Sequence, residues 1–299
     1  MGERRMPKVF VYGTLRKNER NHHYLMNAKQ LAEQAWTNGE LHETPFDFPV
    51  LLRNHHKKVY GELYEVSDEQ LMNIDRLEGY HEDETNRLYD RQLVRIYTDQ
   101  DEHDAYIYVK GRAFHSETKE IPLGDWKVFR MNHGKRKTIY YFAYGSCMDH
   151  ERFQKHEVDH YFRRVIGRGV LHQYSLKFSL PTSDGGKADI IEDKQSQVEG
   201  IVYEIPFEAV HYLYKREGVS LGLYRPTVID LYVQNQLYKD VLTFVVIHKQ
   251  DETPPSCQYA KEIFRGGKDY LSEDYLKQLQ KHVKMLNSTF RDRKSDSIE

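Results

Sequence analysis

The chain repeats itself, and that restricts the folds open to it more than any other feature of its 299 residues. Laid against itself at a constant offset of 139, GELYEVSDEQLMNIDRLEGY, from Gly61 to Tyr80, covers GIVYEIPFEAVHYLYKREGV, from Gly200 to Val219, without a gap. A shorter pair precedes it in each half: VFVYGTLR from Val9 to Arg16, and YFAYGSCM from Tyr141 to Met148. Both members carry an aromatic or β-branched run into Tyr-Gly and a hydroxyl residue. Two homologous domains of roughly 150 residues each are the economical arrangement. Between them an apolar segment, Trp126 to Met131, gives way to the basic, glycine-containing Asn132 to Thr138. The expected organisation is a first domain over residues 1–132 and a second over 138–286. Residues 287–299 are polar without apolar period and are expected to be a flexible tail.

Each repeat reads as strand, glycine turn, short helix, several strands, one well-marked helix and further strands. Val59 to Val66 alternates as a strand, and Ser67 with Gln70 forms a capping box for a helix over Ser67 to Leu77, with Gly79 as its C-terminal cap. The second repeat places Pro206 near the first helical turn and repeats the terminating glycine as Gly218. Gln92 to Tyr97, Ala105 to Val109, Val228 to Val233 and Val241 to Ile247 read as strands. This mixture is α+β, not a regular βαβ alternation.

Charge and hydropathy set aside several function classes. Lys and Arg total 44 against 46 acids, so the balance advertises no polyanionic partner, and nucleic-acid binding is not expected. Mean hydropathy is −0.80 and no apolar run approaches the ~20 residues that cross a bilayer. The start, MGERRMPKVFVYG, lacks the apolar stretch of a signal peptide, and the protein is expected to be cytoplasmic. Cys147 and Cys257 lie too far apart for a local zinc spacing, and a reducing cytosol disfavours a disulfide.

The chemistry-bearing residues recur with the repeat. Leu71 and Ile74 mark the buried face of the first helix, and four residues on, the same face receives Glu78. In the second helix Val210 and Leu213 mark the face and Glu217 arrives at the same phase. A carboxylate there faces the negative end of the helix dipole and partial burial, both of which raise its proton affinity and suit it to general-base work. The turns at Gly13-Thr14 and Gly145-Ser146 present backbone N–H groups and a hydroxyl that can hold a carboxylate or a developing oxyanion without a cation.

VYGTLR, NHHYL, LEGY, YDR and GDW, in that order, resemble the short γ-glutamylamine cyclotransferase and AIG2-like proteins. The second half, with YFAYGS, REGV and PPSCQYAKEIFRGGKDYLSEDYLKQL, resembles the γ-glutamylcyclotransferases proper. The resemblance covers nearly the whole chain as two tandem copies. It implies two small mixed β-barrels with a few helices, and cofactor-independent cyclisation of a γ-glutamyl group to 5-oxoproline with release of an amine or amino acid. It assigns Glu78 and Glu217 as proton acceptors. Tyr12, Gly13, Thr14 and Leu15 would form the first substrate loop, and Tyr141, Phe142, Ala143, Tyr144, Gly145 and Ser146 the second. Tyr259 matches a substrate-contacting tyrosine of the second kind, and Tyr89 and Tyr224 follow the glutamates as pocket or core residues.

One departure stands out: where that loop continues Ser-Asn, Ser146 is followed by Cys147, expected to be a small buried apolar residue. The loss of the amide opens a second reading, a γ-glutamyl or carboxylate ligand-binding protein with one or both sites degenerate. A metal hydrolase is the third, prompted by 16 histidines including the pairs His22-His23 and His55-His56, neither with helical zinc spacing. No metal or cofactor is expected, the partner is a small γ-glutamyl molecule, and tandem fusion would replace a homodimer by an internal pseudo-dimer.

Overall fold

The computed structural model describes residues 6–81 and 83–296, with side chains through residue 290. The chain forms two compact units, one ending at Gly134 and the other beginning at Lys135. The first contains β1 (Lys8–Val11), β2 (Lys29–Asn38), β3 (Glu40–Glu43), β4 (Pro49–Leu52), β5 (Lys58–Glu65), α1 (Asp68–Leu77), β6 (Tyr89–Tyr97), β7 (Glu102–Lys110), β8 (Lys119–Glu120) and α2 (Trp126–His133). The second contains β9 (Thr138–Ala143), α3 (His150–Lys155), β10 (Arg164–Thr182), β11 (Gly185–Pro206), α4 (Ala209–Arg216), β12 (Tyr224–Val233), β13 (Gln236–Val246), α5 (Cys257–Gly267) and α6 (Glu273–Asp296).

Both units are closed barrels with one topology. The first runs β1-β5-β2-β6-β7 and closes through parallel pairing of β1 with β7, Val9 opposite Tyr106. The second runs β9-β11-β10-β12-β13 around the ring and closes in the same way, Leu242 of β13 opposite Tyr141 of β9. Closure leaves no barrel edge strand open to further pairing. The repeated glycine of β5 and β11 explains how the ring is filled. A Cβ on Gly61 would lie 2.2 Å from the Val11 carbonyl oxygen and 2.8 Å from the Phe10 ring, and one on Gly200 would lie 2.3 Å from the Ala143 oxygen and 2.6 Å from the Phe142 ring. Each phenyl ring therefore lies across a glycine, which lets two crossing strands approach while the ring fills the interior.

The helix after β5 is built as its sequence dictates. The Ser67 hydroxyl accepts from Gln70 N–H and the Gln70 amide oxygen accepts from Ser67 N–H, satisfying two donors that a helix start leaves unpaired. Ile74 is fully buried among Val9, Val11, Leu25 and Tyr64, a burial worth roughly 1.5–3 kcal/mol, and it pins the helix to the barrel. The helix ends because Gly79 takes φ +65°, with Gly79 N–H returning to Arg76 O and Tyr80 N–H to Asp75 O. Gly218 does the same after α4 at φ +61°.

Three local expectations give way. Pro206 is the last residue of β11, paired with Thr138, and α4 begins only at Ala209, because a proline at a strand end sacrifices no needed donor. The turn after Gly13 is a run of hydrogen-bonded turns leading to a 3-10 segment at His22–Leu25, not a helix directly after the glycine. The segment from residue 287, expected to be a flexible tail, continues α6 to Asp296. Buried Leu279 anchors the helix, and propagation from there adds a hydrogen bond per residue.

Candidate active site

Each glutamate singled out by the helix phase lines a cavity of its own unit. In the first unit a cavity of about 230 Å³ is lined by Tyr12, Gly13, Thr14, Leu15, Pro49, Glu78, Leu88, Tyr89 and Tyr108. In the second a cavity of about 410 Å³ is lined by Tyr141, Tyr144, Gly145, Ser146, Cys147, Arg216, Glu217, Tyr224 and Tyr259, with Arg152, Asp184, Lys187 and Glu262 among its charged wall residues. Glu78 and Glu217 are the C-cap residues of α1 and α4, so the last turn of each helix aims a carboxylate into the cavity that the barrel strand and its glycine turn enclose.

The tyrosines brace the walls. The Tyr12 hydroxyl donates to Tyr108 O at 2.6 Å and the Tyr144 hydroxyl to Phe244 O at 2.5 Å. The Tyr89 hydroxyl donates to Pro49 O at 2.9 Å and the Tyr224 hydroxyl to Ala188 O at 2.7 Å. The two pairs match position for position. Among the described residues, the N–H groups of Gly13, Thr14 and Leu15, and of Gly145, Ser146 and Cys147, donate to no protein acceptor. Both turns therefore present unspent donors beside a carboxylate.

Each turn is anchored from below by charge. Arg16 is buried, donating to Glu62 at 3.0 Å and to Asp125 at 2.8 Å, and Asp125 also caps α2 by accepting from Lys127 and Val128 N–H. This ties VYGTLR to GDW and accounts for the last motif of the first half. In the second unit buried Met148 follows Cys147, as Arg16 follows Leu15, and the anchor moves to the buried Asp149, which accepts from Arg265 of α5 at 3.0 and 2.5 Å. The same helix carries Tyr259, whose hydroxyl accepts from Ala188 N–H at 3.2 Å and hydrogen-bonds Ser146.

The electrostatics of the glutamates differ. Burial alone pushes the Glu78 carboxyl up to about 7. Burial also raises Glu217, but Arg216, the Cys147 thiol and Arg152 oppose it. The Tyr259 phenol is pushed up to about 12, chiefly by burial. No group of three or more His, Cys, Asp or Glu side chains among the described residues is placed to hold a metal.

The γ-glutamyl cyclotransferase, AIG2-like family model matches residues 9–128, and the AIG2-like family model matches 197–279. YkqA of Bacillus subtilis, a candidate γ-glutamylcyclotransferase by name, is 41% identical over 281 residues, 93% of this chain and 98% of that protein. The chain belongs to the γ-glutamylcyclotransferase family. The crystal structure of YkqA superimposes with a TM-score of 0.85 over 94% of this chain and 98% of that one. The γ-L-glutamyl-butirosin B γ-glutamyl cyclotransferase of Niallia circulans is 40% identical over 43% of this chain and 80% of its own length. The γ-glutamylcyclotransferase of Bos taurus is 32% identical over 48% of this chain and 78% of its own.

Within this family member the structure gathers Tyr12, Gly13, Thr14, Leu15 and Glu78 in one cavity and Tyr141, Tyr144, Gly145, Ser146, Glu217 and Tyr259 in the other. Phe142 and Ala143 do not line it. Phe142 is fully buried against Gly169 and Gly200, and Ala143 is buried at the end of β9, so both shape the strand and not the cavity wall. Alternation along the strand accounts for Phe142, which points to the face opposite Tyr141; Ala143 shares the Tyr141 face, and its side chain is a single methyl. Cys147 corrects the expectation of a plain apolar residue, because its sulfur is hydrogen-bonded to Arg216 and Glu217 inside the cavity. Residues that the sequence reading passed over include Pro49 and Tyr108, brought in from strands of no special pattern, and Arg216, which precedes Glu217 in REGV and differs from Leu77 of the first copy.

Proposed function

We propose that the protein cyclises γ-glutamyl compounds to 5-oxoproline, with Glu78 and Glu217 as the proton acceptors of two separate sites. The observation that carries this reading is a carboxylate of raised proton affinity facing unspent turn amides, twice in one chain. In each site the glutamate takes a proton from the substrate's α-ammonium group, and the freed amine attacks the γ-carbonyl carbon. The carbonyl oxygen gains negative charge where the amides of Thr14 and Leu15, or of Ser146 and Cys147, can donate to it. The attacking nitrogen gives up its second proton to the leaving nitrogen, the protonated glutamate adds its own, the amide C–N bond breaks, and 5-oxoproline departs with an amine or amino acid released as its ammonium form. Nucleophile and leaving group both belong to the substrate, so the protein supplies orientation, a base and hydrogen-bond donors.

We propose different leaving groups for the two sites. Leu77, Leu88 and Phe48 beside the cation Arg20 at the first cavity support an apolar amine there, whereas the paired charges of the second, Arg152 with Glu262 and Lys187 with Asp184, support a leaving group that carries both an ammonium and a carboxylate, an amino acid. We place the reaction in the cytosol with one chain carrying both sites. The test is 5-oxoproline release from a panel of γ-glutamyl amines, γ-glutamyl amino acids and glutathione by the full chain, Glu78→Gln, Glu217→Gln and the double variant. Release retained in full by the double variant overturns the mechanism. Ligand binding without release by the unsubstituted chain would establish the binding-protein reading, which the engagement of Glu217 by Cys147 favours for the second unit.

A further inference from the structure

Cys147 holds a position that the first site leaves apolar. Its sulfur accepts from Arg216 Nε at 2.9 Å and is hydrogen-bonded by Tyr141, and it lies 3.2 Å from Glu217 Oε1. The same guanidinium donates through Nη2 to Ser146 Oγ at 3.1 Å, so Arg216 is fixed at two points of the glycine turn. A sulfur that already receives two donors directs its own S–H at the remaining acceptor, the carboxylate. In the first copy Leu15 stands at the loop position of Cys147 and Leu77 at the helix position of Arg216, so Glu78 has neither contact.

We propose that Cys147 is a positioning residue for Glu217: held by Arg216 and Tyr141, its thiol donates to Oε1 and fixes the carboxylate with Oε2 presented to the substrate. The proposal rests on the general-base reading of Glu217 for its catalytic consequence, though not for the contact itself. A thiol donor favours the ionised carboxylate, and so does positive charge from Arg216 of α4 and Arg152 of α3. Arg152 is itself paired with Glu262 of α5, which moderates its reach. The remaining titratable groups facing Glu217 are the phenols of Tyr141 and Tyr144 on β9, Tyr212 on α4, Tyr224 on β12 and Tyr259 on α5, all raised by burial and therefore neutral across the working range. Removal of the thiol therefore changes what the carboxylate receives without changing the charge around it.

The test titrates the Glu217 carboxyl by ¹³C NMR in the full chain labelled at glutamate, with the resonance assigned by its loss in Glu217→Gln. Cys147→Ala is expected to raise the midpoint by about one pH unit, the size of one lost donor to a charged acceptor. Cys147→Val, which leaves no cavity and has no donor, is expected to give the same rise and serves if the alanine variant does not fold. Cys147→Ser, which keeps a donor, is expected to restore the midpoint. An unmoved midpoint in both apolar variants, or a serine variant that moves as far as they do, overturns the proposal. Turnover is then followed in the Glu78→Gln background, where the acid limb of kcat/KM for the second site is expected to move with the NMR midpoint in Cys147→Ala. An NMR shift with no turnover on any γ-glutamyl substrate overturns the catalytic reading of this unit while upholding the contact. Turnover with no NMR shift does the reverse.

Discussion

Glu78 and Glu217 stand at the same place on the corresponding helix of each barrel, yet their surroundings give them different proton affinities. Glu78 is raised by burial alone, to about 7, whereas Glu217 is raised by burial and drawn back by Arg216, Cys147 and Arg152. The strands, the terminating glycine and the tyrosine braces are common to both sites; Cys147 in place of Leu15, Arg216 in place of Leu77, and Arg152 of α3 make the difference. A duplicated fold thus conserves where a functional group is aimed more readily than how strongly it holds a proton. Aim follows from backbone geometry, whereas proton affinity follows from the few side chains within hydrogen-bond reach.

The largest effect should come from removing the bases. Glu78→Gln and Glu217→Gln are each expected to lower turnover at their own site by about 10²- to 10⁴-fold, read as 5-oxoproline release, while circular dichroism stays unchanged. Loss of both activities from one substitution would break the picture of two independent sites. Next, Arg16→Met places in the first unit the residue that follows Cys147 in the second. It is expected to cost about 3–5 kcal/mol in denaturant unfolding of the first unit, because Glu62 and Asp125 would remain buried without their cation.

A third test uses the sign of the Glu78 shift. The folded state holds this proton more tightly than the unfolded chain, whose carboxyl titrates near 4.5, so stability falls as pH rises from there to about 7 and the deficit persists above. Glu78→Gln should therefore be more stable than the unsubstituted chain by up to about 3 kcal/mol at pH 8, with the gain vanishing below pH 4. In the Glu217→Gln background, kcat/KM of the first site should decline below about pH 7. In the Glu78→Gln background the acid limb should lie at lower pH, and coincident limbs would erase the contrast between the sites. The smallest effect is expected from Tyr89→Phe and Tyr224→Phe, each losing one buried hydrogen bond worth about 1 kcal/mol, seen as a modest loss in thermal unfolding of the matching unit.

Much of this was legible in the residues. The in-phase glutamates, the two Tyr-Gly turns, the Ser67 capping box and the terminating glycines are local patterns, and each stands where its spacing placed it. Phe142 and Ala143 belong to the same contiguous motif but lie outside the cavity lining: the strand sends Phe142 to the face opposite Tyr141, and Ala143, on the Tyr141 face, has only a methyl to reach with. Tyr108 and Ala188 reach the sites from other strands of their barrels and Pro49 from a small sheet of β4, β3 and β8, and no local spacing records which strand will lie opposite which. The role of Cys147 was missed for a related reason: the hydrogen-bonding of a sulfur depends on partners about 70 residues away, counting from Cys147 to Arg216 and Glu217.

What the sequence determined by itself was the repeat, the secondary-structure periods and the two carboxylates on apolar helix faces, all of which depend on neighbours within a few turns or strand residues. Only the tertiary structure decided that the strands close in the same ring twice, that Phe10 and Phe142 lie across the repeated glycines, and that Arg216 and Cys147 reach Glu217 while burial alone raises Glu78. The physical reason is range. Helix phase and turn chemistry are settled by covalent neighbours, but burial and charge are sums over atoms that only folding brings together.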